Sequence, residues 1–197
     1  MKREFKIIAN LLKDSSRVLD VGCGDGTLME FLIKEKDIDA RGMELKEENV
    51  KTCISKGLSV IEGNAENELG QFPDKSFDYV ILSQTLQAFI NPVSVLDHLL
   101  RIGRSSIVSI PNFGYWKVRT NLLIHGKMPE TKSLPYKWYN TPNLHMCTIK
   151  DFYLLCISKN IEMKKIIGIN DDKISFIKNS NIRSKNLFAE VGIFLIS

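Results

Sequence analysis

Short apolar runs alternate with segments of helical spacing along the first half of the chain. Phe5, Ile8, Leu11 and Leu12 recur at helical spacing and predict a short amphipathic helix at the start. The run 17–21 predicts a first strand, and a helix over about 26–36 should bury Leu28, Phe31 and Leu32. A second strand over about 39–44 ends in an acid, and the polar helix that follows over about 46–56 is stopped by Gly57. Residues 58–62 predict a third strand, and the turn Pro73-Asp74-Lys75-Ser76 leads into a fourth at 77–83. Pro92 opens a helix with Val95, Leu96, Leu99 and Leu100 on one side, Gly103 ends it, and a fifth strand follows at 106–110.

The alternation then breaks. Residues 111–147 show no clear period. Thr148 can cap a last helix with Phe152, Leu155 and Cys156 facing inward. Segments 161–169 and 187–196 predict two final strands, with a polar, mobile loop at 170–186 between them. Strands alternating with helices imply a largely parallel sheet with helices on both faces. Two late strands with no helix between them imply an antiparallel end to that sheet. The expected class is therefore α/β, a Rossmann-like sheet of the class I methyltransferase variant. The expected organisation is a single domain over 1–197 with an irregular lid or interface excursion at 111–147.

In such sheets a ligand lies at the carboxyl ends of the strands. Asp20-Val21-Gly22-Cys23-Gly24-Asp25-Gly26 joins the first strand to its helix. Gly22, Gly24 and Gly26 let backbone approach a ligand closely. The helix amino terminus behind them offers N–H groups to a carboxylate. Asp20 can face an ammonium group, whereas it would repel a pyrophosphate. That pair suits the zwitterionic amino-acid end of S-adenosylmethionine or S-adenosylhomocysteine, and it disfavours a nicotinamide dinucleotide. Glu44 ends the second strand and can accept from both ribose hydroxyls. Asn64 and Ala65 follow the third strand, where an adenine edge would lie. Ser83 and Gln84 follow the fourth and would border the sulfur, with Cys23 in the glycine turn completing the expected cofactor set. A glycine-rich turn also serves a tight strand-to-helix connection, and the pocket could be a remnant. The strand-end acids and amide weigh against that.

Charge and cysteine content narrow the classes further. The net charge of +4 argues by itself for neither nucleic acid nor membrane. The first six residues run straight into an amphipathic pattern with no signal peptide, and no stretch approaches a membrane span. Cys23, Cys53, Cys147 and Cys156 form no CxxC pair, which fits a reducing cytoplasm. His98, His125 and His145 show no metal spacing, so no metal is expected.

The glycine motif, read from Arg17 to Gly26, resembles that of class I S-adenosylmethionine-dependent methyltransferases. The chain resembles more closely one family of that fold, the MetW family of methionine biosynthesis. The likeness rests on Gln84-Thr85-Leu86-Gln87-Ala88, Pro111-Asn112-Phe113-Gly114-Tyr115-Trp116 and Gly126-Lys127-Met128-Pro129. It continues through Leu134-Pro135-Tyr136-Lys137-Trp138-Tyr139-Asn140-Thr141-Pro142-Asn143 and Asn186-Leu187-Phe188-Ala189-Glu190. The glycine motif is generic to the fold, while these later stretches are specific, and together they cover nearly the whole chain. The resemblance implies a partnership with MetX, the homoserine O-acyltransferase that activates homoserine, whose full activity needs such a partner. It implies no proven methyl acceptor, and no catalytic residue is assigned. One departure is Asn64, where many methyltransferases carry Asp.

The 111–147 excursion holds both tryptophans, three of five tyrosines and four of six prolines. Its five basic residues against Glu130 alone equal the net charge of the whole chain. Long irregular segments are lids, binding loops or disordered, and aromatics of this density anchor interfaces. A private lid and a partner surface both fit. Single-stranded nucleic acid stacked on the aromatics fits least, given the prolines and low charge density. On the acceptor or partner side stand Gln87, Tyr115, Trp116, Trp138 and His145, the last the one histidine placed to act as a base. Two functions follow: a ligand-binding regulator that docks on MetX, or a methyltransferase acting on a small molecule. Displacement at a sulfonium methyl needs alignment and water exclusion more than an acid or base.

Overall fold

The computed structural model describes residues 3–171 and 173–197. The reading of the first six residues therefore falls in part, at Met1 and Lys2, outside the described residues. The chain divides into two compact units, one formed by Met1–Ser83, Asn91–Val108 and Ser197, the other by Gln84–Ile90 and Ser109–Ile196.

The first unit begins with α1 (Arg3–Leu11), β1 (Arg17–Val21), α2 (Thr27–Lys36), β2 (Asp39–Glu44) and α3 (Glu47–Ser55). It continues with β3 (Ser59–Glu62), α4 (Ala65–Glu68), β4 (Phe77–Ser83), α5 (Pro92–Ile102) and most of β5 (Gly103–Pro111). The strand order is β3-β2-β1-β4-β5. β1 pairs in parallel with β2 and β4, and β2 in parallel with β3. Val18 to Val21 are all buried, as expected of a central parallel strand covered on both faces. Asp20 stands opposite Gly42 on one side and Ile81 on the other, so its carboxyl is carried into the interior by the strand itself. In α2 the buried residues are Leu28, Met29 and Leu32, while Phe31 is half-buried with its ring 6.2 Å from that of Phe5. The left-handed Gly26 precedes α2, and Asn91, with Pro92 at the first helical position, caps α5.

The second unit takes the end of β5 and then α6 (Trp116–His125), α7 (Ile149–Ser158), β6 (Met163–Asn170), β7 (Lys173–Phe176), α8 (Ile182–Phe188) and β8 (Val191–Ile196). Its strand order is β5-β8-β6-β7, with β6 antiparallel to both β8 and β7. Every residue of β8 is buried, and the Phe194 ring meets Phe152 of α7 edge to face at 4.6 Å between centroids. The predicted cap of α7 is a full capping box, Thr148 with Asp151.

The fold is thus α/β, parallel in its first unit with an antiparallel end in its second. Three expectations are corrected. The 111–147 segment is not wholly irregular, because α6 runs through it. The 170–186 segment is not simply a loop: it carries β7 and most of α8. The antiparallel end accordingly has a strand beyond the two expected, and a helix does fit between them. Among the described residues no helix is long and apolar enough to cross a membrane.

Candidate functional site

The glycine turn of the first unit is built by main-chain hydrogen bonds. The amides of Gly22 and Cys23 both donate to the Met43 carbonyl, at 2.8 and 3.2 Å, and the Gly26 amide donates to the Cys23 carbonyl at 3.1 Å. Gly22, Gly24 and Gly26 all have positive φ, of 71°, 58° and 76°. Their demands differ. A Cβ on Gly26 would run into Leu58 Cδ1 and Cys53 Sγ, so that glycine serves packing. A Cβ on Gly24 would meet nothing within 4 Å. Gly24 therefore faces open space, as a backbone approached by a ligand would.

Asp20 is 2% exposed, and among the described residues neither carboxylate oxygen has a hydrogen-bond partner. Burial, and secondarily the charge of Glu44, pushes its carboxyl from 3.8 up to about 7. A buried acid without a partner is costly, and a cationic group from outside the chain would relieve that cost. Glu44, also buried, accepts from the amides of Gly24 and Lys46, each at 2.9 Å, and from Asn49 Nδ2 at 3.3 Å. These residues fit an amino-acid end beside a sugar. The cradle is open, the first acid is buried and uncompensated, and a second acid borders the same turn.

Cys23 is buried, and its thiol is pushed up by burial first and then by Asp20. Its Sγ and that of Cys53 both donate to the Gly24 carbonyl, at 3.9 and 3.3 Å. Both thiols stay protonated and shape the turn rather than act as nucleophiles.

Asn64 lies after β3, where its Oδ1 caps α4 by accepting from the Glu66 amide at 3.0 Å. Its own amide donates to Glu68 Oε1 at 3.0 Å, which leaves the side-chain NH₂ as the group able to reach a base edge. Ala65 beside it is buried. Ser83 ends β4 and donates to Glu4 of α1 at 3.2 Å. The structure thus gathers Asp20, the glycine turn and Glu44 around one turn, and sets Asn64, Ala65 and Ser83 after or at strand ends of the same unit.

The remaining candidates lie in the second unit. Gln84 has a φ of 53°, and its amide donates to the carbonyl and to the hydroxyl of Ser109, both at 3.0 Å. Gln87 is 2% exposed, and both polar atoms of its side-chain amide lack partners among the described residues, while its main-chain carbonyl accepts from the amides of Leu144 and His145. Tyr115 is buried, with its hydroxyl donating to Asn170 Oδ1 at 3.0 Å, so its ring packs in a small core with Val118 and Leu134. Trp116 and Trp138 are exposed. The His145 ring contacts the Ile90 carbonyl at 3.3 Å.

Sequence reasoning missed the residue that organises this unit. Asn112 is buried, and its Nδ2 donates to the carbonyls of Asn186 and Ala189, both at 2.7 Å. Its Oδ1 accepts from the amides of Gly114 and Ile149, at 2.9 and 3.2 Å. A lone asparagine after a proline carries no periodic signal, and only its tertiary partners reveal it.

A family model described as methionine biosynthesis protein MetW matches residues 2–196. A bifunctional methionine biosynthesis protein MetXA/MetW from Rhodopirellula baltica is 33% identical over 195 residues, covering 94% of this chain. The chain spans 31% of that relative's length. Among solved structures, a SAM-dependent methyltransferase of Thermotoga maritima, described as a possible histamine N-methyltransferase, aligns with a TM-score of 0.70 and 18% identity over 98% of this chain and 86% of its own. The plantazolicin methyltransferase BamL, in complex with a triazolic desmethylPZN analogue and SAH, aligns with a TM-score of 0.66 and 15% identity over 99% of this chain and 84% of its own. At such identities these structures establish the fold, that of the SAM-dependent methyltransferases.

Proposed function

The chain belongs to the MetW family of methionine biosynthesis, and from that premise we propose that it binds S-adenosylmethionine or S-adenosylhomocysteine and acts as partner and activator of the homoserine O-acyltransferase MetX. The observation that carries the partnership is the bifunctional MetXA/MetW relative, in which a segment like this chain is part of one polypeptide. Covalent linkage holds two modules at high effective concentration, and docking between separate chains would serve the same end. The match of one family model from residue 2 to residue 196 supports reading the chain as one methyltransferase-like domain. The protein would work in the cytoplasm, without nucleic acid or membrane.

The ligand is supported by the partnerless Asp20 carboxylate and the open face of Gly24. Ionised, Asp20 would hold the ammonium of the amino-acid end. Glu44 would accept from the ribose, and Asn64 with Ala65 would border the adenine. S-adenosylmethionine, when bound, supplies an activated methyl on a sulfonium. Trp116 and Trp138, exposed on the second unit, would supply the partner side. A ligand that is the downstream product of the pathway would report methionine supply. For it to regulate docking, it must bind the free and docked states with different affinities.

The test is the rate of homoserine acylation by purified MetX with and without this chain, in the presence and absence of S-adenosylhomocysteine, together with co-elution of the two proteins. A complex and a raised rate are expected. No complex and no rate change at micromolar concentrations would overturn the partnership. Labelled-methyl transfer to small molecules, with MetX unaffected, would favour a methyltransferase instead.

A further inference from the structure

The second unit contains a half-open cavity of about 300 Å³, whose lining includes none of the residues of the glycine turn. Its wall is apolar and aromatic, with Phe113, Leu134, Tyr136 and Trp138 among the lining side chains. Two polar residues join them, Thr141 and Asn143. The Thr141 hydroxyl accepts from the Asn143 amide at 3.1 Å, which leaves its proton available to donate. The Asn143 side-chain amide has no partner among the described residues. Among the described residues no charged side chain lines the cavity.

We propose that this cavity is a binding site for an uncharged amphiphile, an apolar or aromatic body ending in an amide-like or hydroxyl group that Asn143 and Thr141 recognise. Three features define that class. At the packing density of protein interiors, the volume takes on the order of a dozen non-hydrogen atoms. The aromatic wall rewards a flat apolar body. A charged head would leave water with no counter-charge to meet it, and that cost excludes ionised ligands more strongly than any shape mismatch. The site goes beyond the adenosyl ligand and the MetX partnership, and it stands whether or not either is found.

Trp138 gives a direct readout, because Trp116 is the chain's other tryptophan and the Trp116→Phe variant leaves Trp138 alone. Trp138 is 73% exposed, so a ligand that covers it should shift its emission to the blue. The probe is 4-phenylbutanamide, with 4-phenylbutylamine and 4-phenylbutyrate as charged controls of the same body. The amide should give a saturable shift, and either charged control should bind at least about 10-fold more weakly. Asn143→Ala, checked for native circular dichroism, should weaken the amide by about 2- to 10-fold, the worth of one neutral hydrogen bond. Thr141→Phe should fill the space and abolish the shift. A non-saturable response, or equal binding of the amide and both charged controls, would overturn the proposal without any variant being needed. So would a response unchanged in both folded variants. None of these readings involves S-adenosylmethionine or MetX, so failure here leaves the proposed function standing, and the reverse holds.

Discussion

The Gly24 amide donates to the buried carboxylate of Glu44 at 2.9 Å, which ties the open face of the glycine turn to the end of the neighbouring strand. Glu44 Oε1 already accepts from the Lys46 amide and Asn49 Nδ2, so its two lone pairs are used. Oε2 keeps one. The acid therefore both shapes the turn and offers a single remaining acceptor, enough for one ribose hydroxyl without breaking an existing bond.

Glu44→Gln tests this double duty. A carboxamide can satisfy one side of the site, but its NH₂ must then face either the Gly24 or the Lys46 amide, donor against donor. One buried backbone N–H goes unpaired, at a cost of about 1–3 kcal/mol. Chemical denaturation should show that loss without ligand present. Calorimetric titration should show weaker binding of S-adenosylhomocysteine as well. Unchanged stability would mean that the carboxylate does not hold the turn.

Gly24 and Gly26, which the glycine motif presents as equivalent, should separate under substitution. At Gly24 an added methyl meets nothing within 4 Å and carries only the left-handed backbone penalty, about 1 kcal/mol. It would, however, occupy the space a ligand needs. At Gly26 the methyl collides with Leu58 and Cys53 on top of the same penalty. Gly24→Ala should thus fold and lose S-adenosylhomocysteine binding, while Gly26→Ala should lose about 2–4 kcal/mol of stability by denaturant midpoint. The reverse ranking would refute this division of roles.

What could be read in advance follows from what each signal depends on. β1 and β4 end where their apolar runs end, because a buried parallel strand is a local pattern bounded by turn residues, and β2 ends at the acid that follows its last buried apolar residue, Met43. The strand-end positions of Asp20, Glu44 and Ser83 follow from those bounds. α6 escaped because it has no apolar stripe: Val118 is buried, while Leu122, Leu123 and Ile124 face solvent. β7 escaped for a related reason, as its Lys173-Ile174-Ser175-Phe176 is short and largely exposed at the sheet edge. The four hydrogen bonds of Asn112 and the cavity beside Trp138 are long-range products of folding, and no local pattern encodes them.

Asn112 should be the most sensitive polar position of the second unit. Its NH₂ faces two carbonyls and its oxygen faces two amides. Asn112→Asp keeps the volume but turns a donor pair into acceptors pointed at the Asn186 and Ala189 carbonyls. It either buries a charge or forces protonation. Asn112→Ala instead leaves four main-chain groups unpaired. Both should cost more than about 3 kcal/mol. The aspartate variant should also become less stable as pH rises through the carboxylate range, and the alanine variant should not. Urea denaturation at pH 4 and pH 8 separates them.

Asp20 should contribute a pH dependence to the stability of the first unit, and its direction follows from burial. Below pH 3.8 the carboxyl is protonated in both folded and unfolded chains, and its burial carries no charge penalty. Between 3.8 and about 7 the unfolded chain ionises while the folded one does not, so stability falls as pH rises, by about 1.4 kcal/mol per unit. Above about 7 both are ionised and the penalty is constant. Asp20→Asn should remove this slope, so its stability relative to the parent should grow from pH 4 to pH 7 and then level off. Ligand binding runs the other way. An ammonium group needs the ionised form, so affinity for S-adenosylhomocysteine should rise towards pH 7 and flatten beyond it. Calorimetry in two buffers should show close to one proton released per ligand at pH 6 and close to none at pH 8. The asparagine variant should bind about 10- to 100-fold more weakly at pH 8, the worth of a charged hydrogen bond, with no pH slope. Binding that is equally tight at pH 6 and pH 8 in the parent would mean that the ammonium is held elsewhere.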